Sequence, residues 1–264
     1  MEYSVLKNAK KENINLKYFP YIVIENALDE ELYNRLSLEY PTLQDIKDSN
    51  IVHKQYENRQ NHRFNMNSLY AKNSKKISET WKKFINYHTS KDFWLEILSL
   101  FKDEILRVHP TLEKKIGCKL EEINIFTRFS KELNKKEMSL DCQIAMNSPV
   151  KKISSVRKTH LDFPNKLFAG LLYMRTDNDD SKGGNLNIYK VKENMKKIFY
   201  GLKKYKKIQS NLVEIVNTVK YKKNCLVFFI NCNEAVHSVT NRSITHHNRR
   251  LVNFLGEFDN LNIY

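Results

Sequence analysis

Thr159-His160-Leu161-Asp162-Phe163-Pro164 stands just ahead of an apolar run that extends from Leu167 to Met174. On an extended chain, residues i and i+2 point to the same face. His160 and Asp162 therefore present an imidazole and a carboxylate side by side, with Leu161 turned away. Such a pair can grip one metal ion if a third ligand arrives from elsewhere. His237 is the best candidate, because it follows the apolar strand Cys225-Leu226-Val227-Phe228-Phe229-Ile230 and a strand end can deliver it. Two imidazoles and one carboxylate on one side of an ion leave its other positions open to small molecules.

The surroundings of this stretch read as β structure. Ile123 to Phe129, Leu140 to Met146, Ile153 to Val156, Phe168 to Arg175, Asn185 to Tyr189, Leu212 to Val219, Cys225 to Ile230 and Arg250 to Glu257 are short strand candidates separated by turn signals. Asp177 to Gly184 is a loop whose two glycines allow a sharp turn into the next strand. Met195 to Gln209 reads as a helical or irregular insertion.

Toward the N-terminus the period changes. Tyr18 to Ile24 is a strand with Pro20 near its start, and Asp29 is a plausible N-cap for a helix that Pro41 stops. Ile77 to Tyr87 and Lys91 to Val108 show helical spacing. In the second, Phe93, Trp94, Ile97, Leu98, Phe101 and Ile105 recur at steps of three and four, with Ser90 as N-cap. Residues 44–76 are polar and aperiodic and read as loop with short elements. Arg59, Arg63 and His53 lie there, either solvated or lining an entrance. The expected organisation is a helical region over 1–120 packed on the outside of a β-rich core over 121–264, as one compact unit of α+β class with a mainly β core.

Composition narrows the function classes. The 264 residues, 41% hydrophobic and 11% aromatic, are those of a folded globular chain. A net charge of +15 attracts anionic partners in principle, but the lysines are scattered, so nucleic-acid binding is not expected. The densest runs are Lys196-Lys197 and the basic stretch 203–207. Cys118, Cys142, Cys225 and Cys232 form no C-x-x-C pair, which points away from a disulfide framework or zinc ribbon and toward a reducing cytoplasm. No signal peptide and no apolar run long enough to span a bilayer is visible.

Several pieces occur in a fixed order: His160-Leu161-Asp162-Phe163-Pro164, Gly170-Leu171-Leu172-Tyr173-Met174, Gly183-Gly184-Asn185-Leu186, Phe228-Phe229-Ile230, His237-Ser238-Val239 and Arg249-Arg250. This ordered set resembles the 2-oxoglutarate/Fe(II)-dependent dioxygenases, in particular their prolyl-hydroxylase-like branch. Residues 18–36, 87–94 and 140–150 look like a bacterial and phage subgroup of the same superfamily. The resemblance implies a double-stranded β-helix, or jelly roll, with iron at one open end. It implies that His160, Asp162 and His237 hold Fe(II), leaving places for 2-oxoglutarate and dioxygen. It also implies an arginine for the distal carboxylate of 2-oxoglutarate. Arg249 and Arg250 are the candidates. Arg249 is preferred because the family places its arginine two residues before a small residue, although Leu251 stands there in this chain. Tyr173 matches a family tyrosine that donates its hydroxyl to the same carboxylate.

The implied activity is hydroxylation of an organic substrate, with 2-oxoglutarate decarboxylated to succinate. Substrate recognition is expected in loops around the iron, namely 177–180, 190–210 and the Arg59/Arg63 region. Neither the substrate nor the oligomeric state can be read from the sequence. Two other readings stay open: a basic jelly-roll binding module with an inactive metal site, and a cupin-like metal enzyme that does not use 2-oxoglutarate. His246 and His247, in the polar loop from Asn241 to Asn248, are weaker ligand candidates than His237.

Overall fold

Polar and apolar side chains alternate along Met138 to Asn147, and this alternation organises the molecule. The computed structural model describes residues 2–201, 208–259 and 261–263. Its strands are β1 (Tyr21–Glu25), β2 (Arg63–Met66), β3 (Asn124–Thr127), β4 (Glu137–Asn147), β5 (Lys166–Tyr173), β6 (Leu186–Val191), β7 (Val213–Val219), β8 (Cys225–Ile230), β9 (His237–Val239) and β10 (Arg249–Glu257). The α-helices are α1 (Glu30–Leu38), α2 (Leu43–Asp48), α3 (Ser68–Asn73), α4 (Glu79–His88), α5 (Lys91–Val108), α6 (Leu112–Ile116) and α7 (Lys196–Gly201).

A large sheet runs in the order β1-β8-β5-β10-β4-β2, with β3 pairing parallel to the first residues of β4 and β2 antiparallel to its last, and a small sheet runs β7-β6-β9. Residues opposite one another in register share a face. One face of the large sheet therefore carries Met66, Ile144, Val252, Leu172, Leu226 and Ile24 in one row, then Cys142, Phe254, Gly170, Phe228 and Ile22 in the next. The other face carries Gln143, Asn253, Leu171 and Val227, flanked by Asp141, Leu255, Ala169 and Phe229. The apolar face packs on the helices. Trp81, Phe84, Ile85 and His88 of α4, and Phe93, Trp94, Ile97 and Phe101 of α5, are at most 1% exposed. They share one core with the sheet. Phe93 and Phe84 meet Phe254 at 6.1 and 6.2 Å between ring centroids, and Phe101 meets Phe228 at 5.6 Å.

The helix ends follow from local chemistry. Ser78 and Ser90 accept hydrogen bonds from the N–H groups of Trp81 and Phe93, satisfying donors that the first helical turn leaves open. Trp81 and Trp94 donate their indole N–H to the carbonyls of Leu36 and Leu120, so both large side chains are buried with their polar atom satisfied. The glycine at 256 has a packing role: a Cβ there would lie 2.2 Å from the Phe168 ring, which stacks on Phe228.

The inner, more polar face of the large sheet closes against the small sheet. Leu186, Ile188, Val219 and Val239 pack with Tyr173, Val227, Phe229 and Leu251 in a second core. This mixed α/β arrangement with two facing sheets is consistent with a jelly roll. No described helix is long and apolar enough to cross a membrane.

Some expectations need correction. Ile153 to Val156 forms no strand; Ser154 makes one bridge to Arg242, and Ile153 is 61% exposed, so nothing buries a strand face there. Asp29 does precede α1, but its carboxylate pairs with Lys7 and makes no capping bond. The first part of the 195–209 insertion is helical as α7, whereas the basic stretch 203–207 lies outside the described residues. Within 1–120, β1 and β2 are strands of the large sheet, on its two flanks.

Candidate active site

His160 and His237 face each other across an antiparallel bridge. Their backbones exchange two hydrogen bonds, at 3.0 and 3.1 Å, the closed pairing that brings opposite side chains to one side. His237 is fixed on its other flank by β6, through the pairing of Ile188 with His237. Asp162 follows His160 by two residues and joins the same face. One ligating atom from each of His160, Asp162 and His237 lies within 4.8 Å of the others. Among the described residues this is the one such cluster. The His246 and His247 rings meet in a tilted contact, 4.1 Å between centroids, and His247 lies 3.6 Å from Asp180.

The protonation states suit metal binding. The Nδ1 atoms of His160 and His237 lie 2.8 and 2.9 Å from the carbonyl oxygens of Lys158 and Ala235. A carbonyl only accepts, so each Nδ1 carries the proton and each Nε2 keeps its lone pair. Burial pushes the pKa of both imidazoles down, and for His160 the neighbouring His237 adds to this. Burial opposes ionisation of Asp162, but Lys166 (Nζ at 3.7 Å), His237 and His160 hold its carboxyl below its usual value. Neutral imidazoles and an ionised carboxylate are the ligating forms.

The triad borders a cavity of about 630 Å³. Its wall includes Gln143, Asn253 and Asn65 from the polar face of the large sheet, with Arg63, Arg128 and Arg157. Arg128 is neutralised by Glu257 at 2.7 Å.

The two adjacent arginines separate cleanly. Arg250 pairs with Met146 on the helix-facing side, donates to Ser37 and lies 4.2 Å from the centre of the Tyr40 ring. Arg249 pairs with Asn147 on the inner side and is fully buried. Its Nε and Nη2 both donate to the carbonyl of Gly184, at 3.1 and 2.8 Å. Gly184 has φ +73°, and a Cβ there would meet Arg249 Nε at 3.0 Å, so glycine is what lets that loop approach the guanidinium. The guanidinium carbon of Arg249 lies 5.0 Å from the ring centre of Tyr173 and 4.8 Å from that of Tyr221. Arg249 Nη1 and the Tyr173 hydroxyl are buried and find no hydrogen-bond partner among the described residues. Native interiors rarely leave such groups open. An orphaned guanidinium nitrogen beside an orphaned hydroxyl fits a carboxylate.

Arg63 is the residue that sequence reasoning left undecided. It lines the cavity from β2, a strand of four residues inside a polar stretch. Its one sequence signal is the minimal alternation Arg63-Phe64-Asn65-Met66. Arg59 is exposed, and His53 is buried against Phe64. The loop from Asp177 to Gly184 contributes nothing to the cavity wall and instead supports Arg249.

No family model matches the chain, and no curated protein matches it. Solved structures do. A Shewanella oneidensis protein described as a "putative oxygenase" superposes with a TM-score of 0.51 at 12% identity, over 90% of this chain and 81% of its own. A Phytophthora capsici prolyl 4-hydroxylase gives 0.49 at 13%, over 98% and 66%. A Pseudomonas putida prolyl-4-hydroxylase gives 0.45 at 13%, over 97% and 98%. The likeness is one of fold.

Proposed function

We propose that this chain is an Fe(II)- and 2-oxoglutarate-dependent dioxygenase that hydroxylates an organic substrate, built on a double-stranded β-helix in residues 121–264 with the N-terminal helices packed outside it. We place it in the prolyl-hydroxylase-like branch, in the bacterial and phage subgroup, and in a reducing cytoplasm. One observation carries the reading: a two-histidine, one-carboxylate cluster in ligating protonation states stands in the same barrel as a buried arginine and tyrosine with unspent donors. The fold shared with the Shewanella protein is consistent with it.

His160, Asp162 and His237 hold the metal. Arg249 and Tyr173 take the distal carboxylate of 2-oxoglutarate; Arg250 faces away and has a structural role. With both bound, iron and 2-oxoglutarate supply the oxidative decarboxylation to succinate that drives hydroxylation. The protein keeps its imidazoles neutral by burial, aims them with the Lys158 and Ala235 carbonyls, and keeps water from the inner end of the barrel with Leu186, Val239 and Phe229.

The test is anaerobic titration of the Fe(II)-loaded protein with 2-oxoglutarate, following the weak visible metal-to-ligand charge-transfer band of such chelates. The band should appear in the native chain and be absent from His160→Ala, which should also fail to retain iron. Iron binding without a band would favour a cupin-like enzyme that uses no 2-oxo acid. Absence of iron binding would favour a binding module.

A further inference from the structure

Two features of the inner face bear on which residues join Arg249 and Tyr173 at the distal carboxylate. The first is what Arg249 still has to donate. A carboxylate offers two oxygens and about four lone-pair directions. Arginine ordinarily meets it with two parallel N–H groups. Arg249 has committed its Nε–H and one Nη2–H to the Gly184 carbonyl, which leaves the Nη1/Nη2 end of the guanidinium as its remaining fork. Nη1 is unpartnered among the described residues, and Tyr173 adds one hydroxyl.

The second feature is Arg63. Asn147 of β4 has Arg249 opposite it on one side and Arg63 opposite it on the other. The three side chains thus form one row across the inner face, next to the row that holds Asn65, Ala145, Leu251 and Tyr173. Arg63 makes no side-chain hydrogen bond or ion pair among the described residues, and its Nε is buried and unpartnered. Asn147 is wholly buried, and among the described residues neither its amide nitrogen nor its amide oxygen has a partner. After burial, the largest influence on the Arg63 charge is the like charge of Arg249. Asp162 of the triad favours the Arg63 charge from farther off, but among the described residues no carboxylate is bonded to either guanidinium, and an anion between them would offset their repulsion.

We infer that Arg63, contributed by β2 from the N-terminal region, is a second guanidinium of the co-substrate site and binds the distal carboxylate of 2-oxoglutarate together with Arg249, Tyr173 and Asn147. This rests on the proposed function and extends it. The N-terminal region then completes the binding site, and Arg63 adds a second guanidinium to the one edge of Arg249 that Gly184 leaves available.

The experiment is calorimetric titration of the Mn(II)-loaded full chain with 2-oxoglutarate and with 2-oxobutyrate, which keeps the 2-oxo acid and lacks the distal carboxylate. The native protein should prefer 2-oxoglutarate. Arg63→Gln should weaken 2-oxoglutarate by roughly ten- to a hundredfold, the scale of losing a hydrogen-bonded charge, and leave 2-oxobutyrate within about threefold. Arg63→Lys keeps the charge without the fork and should fall between the two; it carries the test if Arg63→Gln does not fold. An Arg63→Gln protein that binds 2-oxoglutarate within about threefold of native, or that weakens both acids equally, overturns the inference. Native protein that binds Mn(II) and both acids with equal affinity also overturns it, while leaving the metal and 2-oxo-acid assignment standing. Native protein that binds Mn(II) and neither acid removes the proposed function, and this inference with it.

Discussion

Tyr173 and Tyr221 lie 5.4 Å apart, ring centre to ring centre, and both contact Arg249, yet their hydroxyls are in opposite situations. The Tyr173 hydroxyl is buried and has no hydrogen-bond partner among the described residues. The Tyr221 hydroxyl accepts from the Arg250 N–H at 3.0 Å and donates to the Arg250 carbonyl at 3.4 Å. Replacing each by phenylalanine should therefore have opposite consequences. In the ligand-free protein, Tyr173→Phe removes an unsatisfied polar atom, so stability should be unchanged or rise by up to about 1 kcal/mol. In the complex it removes a charge-assisted hydrogen bond of about 1.5–3 kcal/mol, so 2-oxoglutarate affinity should fall roughly ten- to a hundredfold. Tyr221→Phe leaves a buried N–H unsatisfied. It should cost about 1–3 kcal/mol of stability, with 2-oxoglutarate affinity changed by less than about threefold. Urea unfolding of the ligand-free proteins and titration of the Mn(II)-loaded ones read the two quantities separately. If Tyr173→Phe loses stability as Tyr221→Phe does while keeping its affinity, Tyr173 is an ordinary core residue and its assignment to the co-substrate fails.

Two further predictions concern the scaffold. His88 is buried, accepts at Nε2 from the Val5 N–H, and has its Nδ1 2.8 Å from the Phe84 carbonyl; burial holds its pKa down to about 3. Because the folded value lies below the unfolded one, the unfolded chain binds the extra proton. The contribution is whole above about pH 6.5 and is lost as pH falls toward 3, amounting to about 3 kcal/mol between pH 7 and pH 4. In His88→Leu the fall in urea midpoint from pH 6 to pH 4 should be shallower than in the native chain; equal slopes would show that His88 is not the titrating group. Gly256→Ala should cost about 1–3 kcal/mol, because the Phe168 ring must leave its place against Phe228 to make room. A thermal melt within 1 °C of native would contradict that packing argument.

How much of this could be read from the chain depended on how far neighbouring residues determine direction. The two-residue spacing of His160 and Asp162 sets a shared face as soon as the chain is extended. The apolar run before His237 marks a strand whose end is near. The helices α4 and α5 were legible because Trp81, Phe84, Ile85 and His88, and then Phe93 to Ile105, repeat at helical steps long enough to outweigh chance. The Arg249/Arg250 choice was not settled by spacing, since adjacent strand residues always point apart and only the register against Asn147 and Met146 says which is inside. Arg63 was hidden for a different reason. Four residues in a polar setting carry too little alternation to be told from loop, and what makes β2 a strand is the exposed flank of β4, a partner about eighty residues away in sequence. Ile153 to Val156 erred in the other direction: β-branched residues at the right density, with no sheet face to receive them.

The division of labour in β4 explains why the inner end of the barrel can hold so many unmet polar groups. Leu140, Cys142, Ile144 and Met146 are all at most 4% exposed and lie in the core shared with α4 and α5. That face anchors the strand regardless of what occupies the other. Asp141, Gln143 and Asn147 are thereby fixed on the inner face without having to stabilise the fold. Gln143 donates to Asp141, but Asn147 is left open. An apolar residue at 147 would be the more stable choice for a strand with no ligand, since burying an amide without partners costs about 1–3 kcal/mol. The Tyr173 hydroxyl and the Nε of the half-buried Arg63 are likewise open among the described residues. Three open groups in two adjacent cross-strand rows are what an interior complementary to a bound dicarboxylate would present. On that reading 2-oxoglutarate should raise the melting temperature of the metal-loaded protein more than a monocarboxylate of equal size does.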